Sequence, residues 1–487
     1  MKARILISDW IFFSIVLAFF IFFFYQIHPL IPYDTDDWLF MGIERPPHPS
    51  LSCFNPTKVL PELSQSFVSA LGGYLIVPLV NDYVCGMTLT NALAVALCIV
   101  AYLWSVERYI VSRFGIGRLA GHALTIVFIL LHFMVLRTKD ENNEHLWYTH
   151  DVTCYYHYII PTMLCASLVL WLMRHDNPKA WSGRTIAILI PLVYLALCSN
   201  LYSEVVLIAY IGSVLVFDLF KVVRPGATWL RDYVRRNICY LVVIALWALI
   251  QWYEANGIRA NGFGYLHEPF IISLKVTVYN FLTLRYNLWF LIITLLILIG
   301  VKVYDVRTGG RRIWYLDSQS WSILFSLLLS FAYLMLLSSR VDPKYIQRGD
   351  VILGYAFFYF LLVLMAMAHL IRCHRHIVWV TPLLIAILYL LTDTPGKTYK
   401  DVMEEYAPDL AGCIDIDRNI VRQICDADAA GHDTVSICVP TYSKHGYNWP
   451  LMVTDYASQY YGHALYMHNQ TKREVRVTFV PSYIIDE

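Results

Sequence analysis

Charge is the scarcest ingredient of this sequence. Asp, Glu, Lys and Arg make up 15% of its 487 residues, against 58% hydrophobic residues, whereas soluble domains ordinarily carry about 25% charge. A soluble globular chain is therefore excluded. No run of Lys and Arg points to a nucleic-acid partner, and the net charge of +1 adds nothing in that direction. No Cys and His spacing matches a zinc site, so neither a metal nor another cofactor is expected. Internal repeats and low-complexity segments are missing as well. Met1-Lys2-Ala3-Arg4 looks like the charged start of a signal peptide, but the apolar run behind it lacks a small-residue cleavage site. It reads as a retained helix.

What the chain has instead is apolar blocks of membrane-crossing length. The pattern predicts helices at 10–27, 86–106, 121–136, 156–173, 185–199, 204–220, 238–253, 286–303, 321–338, 351–370 and 377–392. Segments 72–80 and 270–284 are short or interrupted and read as interfacial or re-entrant helices. The predicted fold is an all-α polytopic membrane protein of about eleven spans over 1–392, with a long first outer loop at 28–85. A small soluble α/β domain follows over 393–487. With the N-terminus in the cytoplasm, the inner segments hold roughly twice the Lys and Arg of the outer ones, as the positive-inside rule requires. The first loop and the tail then lie on the outer side. So do Cys53, Cys154, Cys413, Cys425 and Cys438, where disulfides can form. In the tail, 401–410 and 415–430 have helical spacing, Thr434–Val439 and Val475–Val480 alternate as strands, and Gly431-His432-Asp433 marks a turn.

Polar chemistry gathers on that outer side. Asp34, Asp36 and Asp37 follow the first helix, flanked by Tyr33 and Trp38. In an extended stretch Asp34 and Asp36 share one face and Asp37 takes the other. Carboxylates so close raise one another's pKa, which suits general-base work; a solvated helix cap is the plain alternative. Arg340, Lys344 and Arg348 are four apart and share one face if helical, fit for an anion or for headgroup snorkelling. Arg137 and Arg285 are lesser basic candidates. Glu204, at a tight turn between two helices, is costly at membrane depth unless paired or used. In the second outer loop His145, Trp147, Tyr148, His150 and Asp151 read either as a sugar-stacking platform or as an aromatic belt.

The long first loop, the acid pair after the first helix, the eleven spans and the soluble tail together resemble the C-type (GT-C) integral-membrane glycosyltransferases. Within them the chain looks like bacterial O-antigen-modifying, serotype-converting glucosyltransferases. The tail segments Asn419–Cys425, Val439-Pro440, Trp449-Pro450 and Tyr460-Tyr461-Gly462 are also similar to that group. The resemblance implies transfer of a hexose, plausibly glucose, from a polyprenyl-phosphate carrier to an O-antigen or other surface or lipid-linked glycan at the bacterial inner membrane. It implies a flippase and a donor synthase in the same pathway. The catalytic base falls on Asp36 or Asp37, and Asp34 becomes a sugar-binding acid. The arginines and lysine would hold the leaving phosphate, while Glu204, His145 and Trp147 would contact sugar. An O-antigen polymerase or ligase is the nearest rival enzyme. A polysaccharide or lipid transporter or flippase is the rival from another class.

Overall fold

The computed structural model of the protein describes residues 7–32, 35–136, 145–149, 151–176, 181–222, 229–262, 268–283, 300, 303, 318–373, 410–441 and 455–483. Its helices are α1 (Ile7–Ile27), α2 (Thr35–Gly42), α3 (Val59–Val80), α4 (Tyr83–Phe114), α5 (Arg118–Met134), α6 (Val152–Arg174), α7 (Gly183–Leu197), α8 (Leu201–Val222), α9 (Trp229–Ala255), α10 (Phe270–Thr283), α11 (Ser318–Val341), α12 (Gly349–Cys373), α13 (Leu410–Ala429) and α14 (Asp455–Met467). Two strands complete it, β1 (Thr434–Thr441) and β2 (Arg476–Tyr483). Among the described residues eight helices are long and apolar enough to cross a membrane, namely α1, α3, α4, α6, α8, α9, α11 and α12. Three shorter apolar helices, α5, α7 and α10, accompany them. The chain is a membrane-embedded, mainly helical protein with a small sheet near its end. Segments 286–299, 377–392 and 401–409, expected to be helical, lie outside the described residues.

Local chemistry sets the helix ends. Asp82 caps α4, its carboxylate accepting from Cys85 N at 2.8 Å, and Gly115 at φ +63° closes it. Asp151 caps α6 in the same way, accepting from Cys154 N at 2.6 Å.

Helix α3 departs from the sequence expectation. Segment 72–80, read as a short interfacial helix, is the second half of a continuous 22-residue helix. The reason is an inverted amphipathic pattern. Glu62, Gln65 and Ser69 are buried, whereas Phe67, Tyr74, Leu75 and Leu79 are exposed, Leu79 to 79%. In a bilayer the apolar face turns outward to lipid and the polar face inward. A hydropathy reading therefore breaks the helix where its polar stripe is densest. Gly72 and Gly73 let it approach its neighbours, since a Cβ there would lie 2.6 Å from Thr90 Oγ1 and from His468 Cβ.

Two faces can be told apart. Asp9 near the start of α1 meets Arg108 near the end of α4 at 3.1 Å, and Arg118 and His122 of α5 at 3.4 and 3.3 Å. Glu107 joins through Arg118 at 3.4 Å. This ion-pair network ties three helices together at one face. At the other, Leu30 O beyond α1 accepts from Asn91 of α4, and the tail docks there.

In the tail β1 and β2 pair in parallel from Thr434↔Arg476 to Thr441↔Tyr483, and α13 and α14 pack on the pair. Gly431, at φ +81°, turns the chain from α13 into β1. The domain is joined to the membrane part through one apolar cluster. Trp38 of α2 stacks on Tyr461 of α14 with ring centroids 3.7 Å apart and planes at 18°. Tyr83, Ile420, Ile424 and Phe479 belong to the same cluster. Arg418 donates to Asp82 at 2.5 Å beside it. Cys53, Cys154, Cys425 and Cys438 are free thiols.

Candidate functional site

Asp36 and Asp37 do not lie on an extended strand. They occupy the first turn of α2, where carboxylates complement the helix dipole, so they diverge by the helical angle instead of alternating. Asp36 is exposed. Asp37 is fully buried at 0%, and its Oδ1 accepts from both the backbone N and the hydroxyl of Thr153, each at 2.7 Å. Gln65 Nε2 of α3 donates to the same hydroxyl at 2.9 Å. Three separate segments thus converge on Asp37. The tail adds a fourth through Asp417 of α13, which is fully buried with Asp37 as its charged neighbour. Burial, with Asp37 adding to it, pushes the Asp417 carboxyl well above the usual carboxylate range.

Beside this acid pair lies a cationic chamber that sequence reasoning did not assemble. Arg45 folds the loop around it, donating to Asn55 O at 2.6 Å, Pro56 O at 2.6 Å and Lys58 O at 3.0 Å, and pairing with Glu62. Glu254 at the end of α9 accepts from Thr57 N at 3.3 Å and from its hydroxyl. Arg259 reaches Asn55 Oδ1 at 3.2 Å. Lys58 stands among these groups, 7% exposed; its backbone is bonded to Arg45 and Asn55, while its side-chain amine makes no hydrogen bond or ion pair among the described residues. Burial, followed by the charge of Arg259, pushes its amine down to about 7. His157 of α6, in the field of Lys58, Arg259 and Arg45, lies 4.8 Å from the ring of Phe40 in α2. Its Nε2 has no hydrogen-bond partner. His157 therefore joins the chamber to the helix that bears the acid pair.

An apolar cavity of about 520 Å³ runs between α6, α7, α8 and α9. Its lining extends from Trp181, Ile238 and Cys239 to Pro49, Tyr194, Cys198 and Tyr253. The second end abuts the chamber, because Leu60 N donates to Cys198 O at 2.9 Å and Tyr194 donates to Pro47 O at 2.7 Å.

No family model matches the chain, and neither does any curated protein or solved structure. The site therefore rests on its own geometry.

The remaining candidates are dispersed. Arg340, Lys344 and Arg348 do not share a helical face. Pro343 stops α11 at Val341, a 3₁₀ turn covers Tyr345–Gln347, and α12 starts at Gly349. Arg340 lies 4.8 Å over the Phe270 ring and Lys344 is exposed. Only Arg348 turns inward. It is bound to Asp350 at 2.5 Å and Cys154 Sγ at 3.0 Å, and lies 4.8 Å over Tyr158. Glu204 does not pair with an arginine; its Oε1 accepts from Trp247 at 3.2 Å and from Gln251, and its Oε2 has no partner. Trp147 is fully buried and stacks on His132 at 4.3 Å. His145 packs against Phe133 at 4.9 Å and Phe23 at 5.4 Å, and burial, with His28 and His132 near, holds its pKa well below the usual value. These two rings fix their loop in the core and present no open platform. Asp34, Arg137, Arg285 and His150 lie outside the described residues.

Sequence reasoning missed Lys58, Glu62, Gln65, Thr153, His157, Arg259 and Asp417. One signal was available: Lys58 and Glu62 are ionisable residues, four apart, at the start of an apolar helix. Among the described residues, the single group of acids and histidines close enough to share a metal is Asp9, Glu107 and His122. It sits at the face opposite the tail, and Arg108 and Arg118 already balance its charge.

Proposed function

We propose that the protein is a membrane glycosyltransferase with a GT-C-like arrangement of about eleven spans. It moves a hexose from a polyprenyl-phosphate carrier to a glycan on the outer side of a bacterial inner membrane. The supporting observation is the junction of the apolar cavity with the cationic chamber. A cavity at membrane depth suits an isoprenoid chain, and a cation cluster holding one unpartnered lysine at its end suits the phosphate attached to that chain. The acid pair lies on the other side of His157, as an acceptor site requires.

Exposure favours Asp36 over Asp37 as the base. Asp36 is accessible to a hydroxyl from solvent and is assigned as the base. Asp37, committed to Thr153, positions α2. In the reaction Asp36 takes the proton of the acceptor hydroxyl, and the oxygen forms a bond to the anomeric carbon. The bond from that carbon to the phosphate oxygen breaks, and its electrons leave with the lipid phosphate. Lys58 and Arg259 stabilise the charge that develops there.

Asp36→Asn and Asp37→Asn, expressed in cells and scored for glycan modification, test the assignment. A general base contributes about 10²–10⁴-fold, so Asp36→Asn is expected to abolish modification while the protein still accumulates in the membrane. Full modification by Asp36→Asn at normal expression sinks the catalytic reading and favours a lipid carrier that binds without transfer.

A further inference from the structure

Helix α2 is fastened from outside by a two-step hydrogen-bond chain. The Thr153 hydroxyl donates its one proton to Asp37 Oδ1 at 2.7 Å and accepts from Gln65 Nε2 at 2.9 Å. A hydroxyl rotates to suit its surroundings. The Gln65 amide removes that freedom, because accepting from it leaves the proton aimed at Asp37. Gln65 is fully buried, and its Oε1 has no hydrogen-bond partner among the described residues. An unpaired buried acceptor is costly, and an apolar side chain of the same shape would avoid the cost. The Nε2 donation is therefore what Gln65 supplies. On α3 Gln65 lies one turn beyond Glu62, which pairs with Arg45 and accepts from Asn55 Nδ2 at 3.4 Å. Asn55 Oδ1 accepts in turn from Arg259 at 3.2 Å, and Lys58 is the residue that opens α3. The chamber thus holds the first turn of α3, and the next turn holds α2 through Thr153.

We propose that Gln65 is a positioning residue, which couples occupancy of the cationic chamber to the setting of α2, the helix that carries Asp36. The inference rests on the reading of the chamber as a phosphate site. An anion held by Lys58 lies at the N-terminal end of α3, where the helix dipole favours it. Fixing Lys58 there steadies the first turns of α3, Gln65 included. Thr153 then holds Asp37 in one orientation, and α2 loses freedom at its first turn. Asp36 is thereby aligned when a lipid phosphate is in place and looser when it is not.

The test uses the full-length protein in detergent, with farnesyl phosphate, a short isoprenyl monophosphate, as the chamber ligand. Hydrogen exchange of the α2 amides reads the helix, and calorimetry reads binding. On the scale of one neutral hydrogen bond, farnesyl phosphate is expected to slow α2 exchange about two- to tenfold. Thr153→Ser, which keeps the hydroxyl, should retain that response. Gln65→Met and Thr153→Val, which keep the shape without the bond, should lose it while binding farnesyl phosphate within about threefold of the unaltered protein. In hexose transfer Gln65→Met should lower kcat about two- to tenfold with KM for the carrier unchanged. A Gln65 that only packs the core would speed α2 exchange with and without ligand alike and leave the ligand-dependent slowing in place; that result in Gln65→Met overturns the proposal. So does farnesyl phosphate that binds the unaltered protein without slowing α2, and so does the absence of binding. If Gln65→Met fails to accumulate, the contrast between Thr153→Val and Thr153→Ser decides. A protein that transfers hexose without this coupling keeps the glycosyltransferase reading and loses the relay, and one that shows the coupling without transfer does the reverse.

Discussion

Lys58 carries its charge against the grain of its surroundings. Its folded pKa of about 7 lies below the ordinary 10.5, so the unfolded chain binds the proton more readily between those values. Stability therefore rises with pH through that window, and the amine is charged in the folded protein only near and below neutrality. A lipid phosphodiester keeps a constant charge over the same range. Its affinity is expected to fall as pH rises from 6 to 9, by up to about tenfold per pH unit once Lys58 is neutral. Lys58→Met should flatten that profile and weaken binding at pH 6 in a carrier-lipid titration. An unchanged profile in Lys58→Met removes Lys58 from the anion site. At the same scale, the acid pair was legible in the sequence, because carboxylates stand out after an apolar run. Which acid is buried was not, since that depends on Thr153, which is 116 residues away. The chamber was not legible either. Lys58, His157 and Arg259 come from three separate segments, and none follows a spacing rule. Trp147 shows the opposite error, because an aromatic in a loop looks the same whether it faces sugar or stacks on His132.

Among the elements, α2 and α14 join the membrane part to the tail. Trp38 is buried against Tyr461, and truncating a buried Trp costs about 3–5 kcal/mol. Trp38→Ala should release the tail, visible as faster proteolysis near α14 while the membrane part stays folded. An equally protected tail places the docking energy elsewhere. In α14 a Cβ at Gly462 would sit 1.9 Å from the carbonyl oxygen of Val475. Gly462→Ala should therefore unfold the tail itself, read as loss of the β1–β2 pair by hydrogen exchange. The two strands and α13 were legible from alternation and helical spacing, whereas the parallel pairing of the strands was not, because it depends on how α14 returns the chain. Helix α3 was misread because a lipid-facing helix inverts the usual amphipathic rule, and its buried Glu62, Gln65 and Ser69 look like solvent-facing residues. Its start is held by the buried Arg45–Glu62 pair. Arg45→Ala should cost about 3–5 kcal/mol and lower the thermal midpoint of the detergent-solubilised protein.

For the molecule as a whole, the two faces divide the labour. The Asp9–Arg108–Arg118 network binds the helices at one face, while α2, which bears the acid pair, docks the tail at the other. The membrane-embedded helical character and the small terminal sheet were legible because apolar length and strand alternation are local signals. The meeting of the cavity with the chamber was not, because it arises only when α7 and α9 pack beside the loop that Arg45 folds. The central claim is that a lipid-phosphate donor and the Asp36 base work at this one face. The most direct measurement is transfer of labelled hexose from a polyprenyl-phosphate carrier by the purified protein, compared with Asp36→Asn and Lys58→Met. The account predicts transfer by the unaltered protein, loss of about 10²-fold or more in Asp36→Asn with carrier binding intact, and weakened carrier binding in Lys58→Met. Transfer that is indifferent to Asp36, or carrier binding that is indifferent to Lys58, contradicts it.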